Sequence, residues 1–191
     1  MQKLKDNVVI LGLGNLLLGD EGVGVYVIHK LKTLKLPANI ELIDGATSGF
    51  NLIPIFEKHK KDKFIIIDAI KIQEDKSDSK SSELRKKDNT YKKGDIYVIP
   101  LNKIYSLSNT NYENPEFISF HQTGLLDVLT LLLRTLKIKI KGYLIGINIF
   151  DPSTGSDSIK IEYSIELSPE VEEKIPKIIK LILKHIQYFL K

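Results

Sequence analysis

The sequence predicts an α/β fold, a three-layer sandwich in which helices flank a largely parallel, twisted sheet of about five strands. Two observations lead to this prediction. Short continuous runs of β-branched and other apolar residues are typical of strands that are buried on both faces of a sheet. Segments with a helical spacing of apolar residues alternate with most of these runs. The predicted strands are residues 8–11, 40–43, 64–67, 96–99 and 143–150.

The predicted helices carry start and stop signals. They span residues 22–35, a short segment after residue 47 or 48, residues 121–136, and the chain from Ser168 onward. Pro54 lies near the start of the short helix, where its fixed φ is tolerated. Ser168-Pro169 combines a capping residue with a first-turn proline. Pro176 lies further inside the terminal helix, so we expect a kink there.

Composition limits the chemistry that the chain can perform. It has 191 residues, and we expect residues 1–191 to form a single domain. The hydrophobic share of 42% and the charged share of 27% are typical of a globular protein. There is no cysteine, which excludes disulfides, thiolate zinc sites, iron–sulfur clusters and a cysteine nucleophile. Any metal ion must therefore be bound by histidine, carboxylate or carbonyl groups.

Charge and hydropathy limit the classes of binding partner that the chain can have. The formal net charge is +4, but Arg85 and Arg134 are the only arginines and the lysines are spread along the chain. Nucleic-acid-binding surfaces usually cluster arginine with aromatic residues, so we expect no nucleic acid partner. No apolar run approaches the ~20 residues that cross a bilayer, so we expect no membrane partner. Because residues 1–6 show no secretion signal, the expected location is the cytoplasm.

Polar residues follow several of the predicted strands. The first strand runs into the glycine-rich segment 12–22, the second ends at Asp44 and the third ends at Asp68. The apolar helix that comes later begins at His121. Open parallel sheets bind ligands outside the carboxyl ends of their strands, where loops and helix N-termini converge. We therefore expect these groups to meet at one edge of the sheet and to form a candidate site.

Glu21, Asp68 and His121 suit a metal ion. Two carboxylates and one imidazole are a ligand set for zinc, nickel, manganese or iron that leaves positions for water or substrate. Each residue also has a structural alternative: an acid in a helix first turn, an acid in a turn after a strand, and a capping or core imidazole. Asp20 is more typical of an N-cap than of a ligand. Asp44, which precedes a glycine, is on sequence alone more typical of a turn than of a catalytic acid.

A nucleotide site is the main competing interpretation of the first glycine-rich segment. Gly12 and Gly14 follow a strand and precede a helix, as in dinucleotide-binding proteins. The third glycine of that pattern is missing, because position 17 is leucine. Asp20 and Glu21 would also place two negative charges where a helix N-terminus normally attracts phosphate. We expect no nucleotide cofactor.

The motifs together resemble the hydrogenase maturation endopeptidases. Residues 12–24 (GLGNLLLGDEGVG) are similar to the opening signature of that family, and five further segments follow in the family's order. These are residues 44–49 (DGATSG), 68–70 (DAI), 119–129 (SFHQTGLLDVL), 145–147 (IGI) and 167–171 (LSPEV). The sequence departs from the family pattern at Ala46, where the family has glycine, and in the long polar segment 73–94.

The resemblance implies an endopeptidase that removes the C-terminal extension from the large-subunit precursor of a nickel–iron hydrogenase. It implies that Glu21, Asp68 and His121 bind metal, and that the metal is the nickel already loaded into the precursor. Asp44 corresponds to a further acid near the site and is our candidate catalytic residue. Two alternatives stay open: a nickel-sensing chaperone of the precursor that does not cut it, and a protease of the same fold with another substrate.

Two polar segments are expected at the same edge of the sheet. Segment 73–94 follows the third strand, and segment 105–118 leads into His121. We expect them to border a groove for an extended peptide tail, although 73–94 is equally typical of a solvated surface insertion. The candidate anchors for the tail are Tyr105, Tyr112 and Phe117. His29, His59 and His185 are expected to face water.

Overall fold

The computed structural model describes residues 7–47, 49–72, 91–107, 118–119, 124–150 and 163–190. Its sheet has the strand order β2-β1-β3-β6-β4, and the short strand β5 pairs with β3 outside that order. The strands are β1 (Val8–Gly12), β2 (Ile40–Asp44), β3 (Lys63–Lys71), β4 (Ile96–Pro100), β5 (Ile118–Ser119) and β6 (Lys141–Asn148). Strands β2, β1, β3 and β6 are parallel, whereas β4 is antiparallel to β6 and β5 is antiparallel to β3. The predicted α/β fold with a largely parallel sheet is confirmed.

The helices cover both faces of the sheet. They are α1 (Val23–Leu31), α2 (Leu52–Lys58), α3 (Leu101–Leu107), α4 (Leu125–Thr135), α5 (Pro169–Glu172) and α6 (Ile175–Phe189), with 3-10 turns at Gly19–Gly22 and Gly49–Asn51. Helices α1, α5 and α6 pack on the face that carries Ile65 and Ile67, and helices α2, α3 and α4 pack on the face that carries Phe64 and Ile66. Because successive residues of β3 are buried on opposite faces, this strand is a continuous apolar run. The three-layer arrangement is therefore the predicted one.

The terminal helix differs from the predicted one at Pro176. Instead of one kinked helix, the structure has two helices, and Pro176 lies in the first turn of α6. Proline is tolerated there because the first turn has no intrahelical partner for its missing N–H. The apolar residues Val171, Ile175, Ile178 and Ile182 of these two helices are buried against the sheet.

Tyr105 is a core residue, so the prediction that it anchors a peptide is wrong. It lies in α3, a helix that the polar composition after residue 105 conceals, and its side chain is 4% exposed. Its hydroxyl accepts a hydrogen bond from the N–H of Ile140 at 2.8 Å, just before β6 begins. Strand β4 runs antiparallel to β6, so its end leads to the amino edge of the parallel strands, away from the candidate site. Tyr112 and Phe117 lie outside the described residues.

Of the three histidines that were expected to face water, one is buried. His29 is half exposed, as predicted. His59 is 6% exposed, and its Nδ1 lies 2.8 Å from the Asp62 carboxylate, so the prediction that it faces water is wrong. His185 is only partly buried, with its ring against Tyr143 at a centroid distance of 4.7 Å. Within the described ranges, no helix is both long enough and apolar enough to span a membrane.

Candidate active site

The strand register places the predicted acids at the carboxyl edge of the sheet. Gly12 of β1 is paired with Asp44 of β2 and with Ile67 of β3. Asp68 is one residue further along β3, opposite Gly146 of β6. Because side chains alternate along a strand, Asp44 and Asp68 point to opposite faces of the sheet. The Asp68 side chain points to the face that α2, α3 and α4 cover, whereas Asp44 points to the face of α1.

Glycines bring the turn that carries Glu21 onto the ends of the strands. Gly14 has a φ of 146°, a conformation that favours glycine. A Cβ atom at Gly14 would lie 2.1 Å from the carbonyl oxygen of Glu21. A Cβ atom at Gly24 would lie 2.2 Å from the carbonyl oxygen of Leu13 and 2.4 Å from that of Ile67. Side chains at these positions would therefore push the Glu21 turn and α1 away from β1 and β3.

Asp68 is the most unusual group at this edge. The residue is 1% exposed, and its Oδ1 has no hydrogen-bond partner within the described part of the chain. Burial raises its pKa to about 8, the Ala69 N–H opposes this rise, and the negative charge of Glu21 adds to it. The carboxyl of Asp68 is therefore protonated at neutral pH. A buried carboxyl oxygen without a hydrogen-bond partner among the described residues costs stability, which is typical of a functional group rather than a structural one.

Glu21 lies beside Asp68 in a half-buried position. Burial raises the pKa of Glu21, and the positive charge of Lys71 opposes that rise. Burial in turn lowers the pKa of the Lys71 ammonium, and the charge of Glu21 opposes that shift. Two acids and one cation therefore influence one another at the end of β3. Lys71 is absent from the sequence-based candidates, although it is the charged residue that closes the buried run of β3.

Asp20 has a structural role different from the predicted one. It does not cap its own turn, because its carboxylate accepts hydrogen bonds from Ser168, from the backbone N–H at 2.7 Å and from the hydroxyl at 2.8 Å. The Lys93 ammonium lies 2.7 Å from the same carboxylate. Ser168 is the N-cap residue of α5, but its hydroxyl donates to Asp20 and accepts no hydrogen bond from the N–H groups of the helix. Asp20 thus connects the Glu21 turn to the start of α5.

Asp44 forms the turn that its sequence context predicts. Its Oδ1 accepts the N–H of Ala46 at 2.9 Å, and its Oδ2 lies 3.6 Å from Nε2 of His29. Ala46 has a φ of 48°, and its carbonyl accepts the N–H of Gly14 at 2.8 Å. The position at which the sequence departs from the family pattern is therefore one that favours glycine. A catalytic role for Asp44 stays a prediction.

Only part of the predicted metal-binding set lies within the described residues. Glu21 and Asp68 lie together, whereas His121 is outside the described ranges. Within those ranges, no three histidine, aspartate or glutamate side chains form a group that could hold a metal ion. Helix α4 follows the segment of His121, and its first turn is fixed by Asp127, whose carboxylate accepts the Gly124 N–H at 3.1 Å. The three-residue set stays a prediction.

The fold and site together define an α/β protein whose candidate active site contains a buried acid at the carboxyl edge of a parallel sheet. The chain belongs to the hydrogenase maturation protease family, whose model matches residues 25–76 and 90–185. The interruption of that match falls inside the polar segment 73–94, where the sequence departs from the family pattern. The chain is therefore an endopeptidase of the hydrogenase-maturation type.

Individual relatives extend over nearly the whole chain. The hydrogenase 2 maturation protease of Escherichia coli K12 is 29% identical over 177 residues, which are 92% of this chain and 88% of that protein. The structure of the hydrogenase maturating endopeptidase HybD from E. coli matches with a TM-score of 0.66 and 27% identity, over 95% of this chain and 93% of that one. The [NiFe] hydrogenase maturation protease HybD from Thermococcus kodakarensis has a TM-score of 0.62 at 24% identity, covers 93% and 97% of the two chains, and supports the fold alone.

Proposed function

We propose that this endopeptidase removes the C-terminal extension from the large-subunit precursor of a nickel–iron hydrogenase. We further propose that Glu21, Asp68 and His121 contact the nickel that the precursor carries. The observation that supports this most directly is the buried Asp68 carboxyl, whose Oδ1 lacks a partner in the described part of the chain and which lies beside Glu21. Nickel is thus part of the substrate in this proposal.

The ionisation of Asp68 explains how the metal would be sensed. Without a metal ion nearby, the acid is protonated at neutral pH, because its pKa is about 8. An approaching metal ion favours the carboxylate, so the proton is released and Oδ1, which has no hydrogen-bond partner within the described residues, gains a partner. A precursor without metal offers no such gain. Binding would therefore distinguish a nickel-loaded precursor from an empty one by the interaction free energy of these ligands.

Peptide cleavage requires a nucleophile other than cysteine, because the chain has none. We propose water, activated by the metal of the precursor or by a carboxylate. Asp44 is our candidate for the additional acid. Its side chain is 36% exposed, Oδ1 accepts the Ala46 N–H of the turn, and Oδ2 lies 3.6 Å from Nε2 of His29.

The test is to mix the protein with nickel-loaded and nickel-free precursors and to weigh the large subunit by mass spectrometry. Wild type should release a C-terminal peptide from the nickel-loaded precursor only. Glu21→Gln, Asp68→Asn and His121→Ala should each abolish cleavage, whereas Glu57→Gln, which changes an exposed acid of α2, should cleave like wild type.

Each negative result rejects a different part of the proposal. Equal cleavage of both precursors would reject nickel recognition. Wild-type rates in the three site variants would reject the residue assignment. Failure of the wild-type protein to cut either precursor would reject the substrate, and would leave a protease of this family with another target.

A further inference from the structure

The geometry points to Asp20 as a positioning residue for Glu21, acting through Ser168 and Lys93. This inference rests on the proposed function, because it concerns how the Glu21 carboxylate reaches the metal of the precursor. Asp20 itself would touch neither substrate nor metal. Its role would be to fix the turn on which the next residue stands.

The Asp20 carboxylate makes three short polar contacts, two with Ser168 and one with Lys93, although it lies on a short turn. Its side chain is 12% exposed. Oδ1 accepts the Ser168 N–H at 2.7 Å, while Oδ2 accepts the Ser168 hydroxyl at 2.8 Å and lies 2.7 Å from the Lys93 ammonium. Hydrogen bonds to an ionised carboxylate are shorter and stronger than neutral ones. The carboxylate therefore joins three segments that are far apart in sequence.

Backbone hydrogen bonds also hold the residues that come just before Asp20. The Gly19 N–H donates to the Ser164 carbonyl at 2.6 Å, and the Ser164 N–H donates to the Leu17 carbonyl at 3.1 Å. Together with the contacts of Asp20, these bonds attach residues 17–20 to segment 164–168. Glu21 follows directly, and its carbonyl is packed against Gly14. The backbone of Glu21 is thus fixed from both sides.

Adjacent residues of a 3-10 turn point in different directions, because the turn has about three residues per revolution. Asp20 points to α5 and Lys93, whereas the charge of Glu21 acts on the Asp68 carboxyl and on the Lys71 ammonium. A ligand on a turn needs such support, since binding groups have to be held within about 0.5 Å of their working position. Loss of the Asp20 contacts would let the Glu21 carboxylate move away from Asp68.

Asp20→Asn has nearly the same shape, but it removes the charge that binds Lys93. We expect the ratio of affinities for nickel-loaded and nickel-free precursor to fall about tenfold or more, as is typical when a residue that orients a metal ligand is changed. Lys93→Met should have a similar effect, and Lys93→Arg, which keeps the cation, should retain the wild-type ratio. Lys92→Met is the matched control, because Lys92 is an exposed neighbouring lysine.

The combination with Glu21→Gln tests whether Asp20 acts through Glu21. If it does, Asp20→Asn should lower the ratio in the wild-type background and cause no further loss in the Glu21→Gln background. An equal loss in both backgrounds would overturn the inference. So would an unchanged ratio in Asp20→Asn. If Asp20→Asn fails to fold, the two Lys93 variants replace it. The inference then requires a lower affinity ratio in Lys93→Met and the wild-type ratio in Lys93→Arg, and any other result overturns it.

General instability is a competing explanation, and Ile182→Val controls for it. Ile182 is a fully buried residue of α6, and the variant lowers stability without touching the turn. If it reduces the affinity ratio as much as Asp20→Asn at the same drop in melting temperature, the positioning role is wrong. Failure of the proposed function is distinguishable, because then Glu21→Gln alone would leave the ratio unchanged.

Discussion

Replacing Asp68 by asparagine should stabilise the fold, and the gain should grow with pH. Burial raises the pKa of this carboxyl from its ordinary value of 3.8 to about 8 in the folded protein. Between those two values the folded state holds a proton that the unfolded state has lost. The stability of the wild type must therefore fall as pH rises through this window. Asparagine does not titrate, so the variant lacks this loss.

The size of the effect follows from the linkage relation. Each pH unit inside the window costs the wild type about 1.4 kcal/mol of unfolding free energy, which amounts to about 4 kcal/mol at pH 7. The amide of the variant would place an unpaired donor where Oδ1 of Asp68 now lies, at a pH-independent cost of about 1–3 kcal/mol. Asp68→Asn should therefore be more stable than wild type by about 1–3 kcal/mol at pH 7. Between pH 5 and pH 7 the difference should change by about 2–3 kcal/mol in favour of the variant.

Urea denaturation followed by circular dichroism at pH 5, 6 and 7 measures this difference directly. Ile70→Val is the control, because it changes the packing of the same face of β3 without changing a titrating group, and its difference from wild type should not depend on pH. A pH-independent difference between Asp68→Asn and wild type would show that Asp68 does not titrate with a raised pKa, and so would a variant that loses stability relative to wild type as pH rises. The variant should also be inactive, since stability and function oppose each other at such a site.

Three other outcomes are expected. Ala46→Gly should raise the melting temperature by about 2–4 °C, because glycine relieves about 1 kcal/mol of strain at a φ of 48°. The control Ala38→Gly changes an exposed turn residue without a positive φ and should lower the melting temperature slightly. A lower melting temperature for Ala46→Gly would contradict the expected relief of strain. Lys137→Gly should stabilise the end of α4 by about 0.5–1 kcal/mol, because Lys137 has a φ of 56° just after that helix. Urea denaturation measures the change, and a loss of stability would mean that the hydrogen bond from the Lys137 ammonium to the Arg134 carbonyl contributes more than the relief of strain. Lys71→Met should shift the acid limb of the pH–rate profile of processing to higher pH, since removal of the cation raises the pKa of Glu21 further. If the acid limb stays at the same pH, ionisation of Glu21 does not limit the reaction.

The turn after β2 shows how local signals and tertiary contacts combine. Asp44 followed by glycine predicts a turn, and the Asp44 carboxylate indeed accepts the Ala46 N–H. The strained φ of Ala46 could not be predicted, because it depends on the bond from the Gly14 N–H to the Ala46 carbonyl. That bond joins two loops from different strands. Alanine is tolerated there since the surrounding contacts outweigh about 1 kcal/mol of strain.

Helix α3 and His59 show where polar composition misleads. The helix buries Leu101, Ile104 and Tyr105 on one face, but it lies beside a long polar stretch that conceals this short pattern. His59 stands among lysines in the sequence and yet is buried, because the Asp62 carboxylate lies 2.8 Å from Nδ1 and the Glu41 carboxylate lies 3.6 Å from Nε2. Neither outcome is visible in a window of neighbouring residues. Each depends on which distant groups the fold brings close.

The order of residues along the chain is enough to predict the alternation of strands and helices, the apolar character of β3, and the positions of Glu21, Asp44 and Asp68 near strand ends. These features depend on residue type and local periodicity, and both can be read from a short segment of the chain. Three features became visible only in the folded protein: Asp68 is buried and protonated beside Glu21, Asp44 points to the other face, and Asp20 binds Ser168 and Lys93. Burial, charge proximity and hydrogen-bond partnership are properties of groups far apart in sequence, so they exist only once the chain has folded.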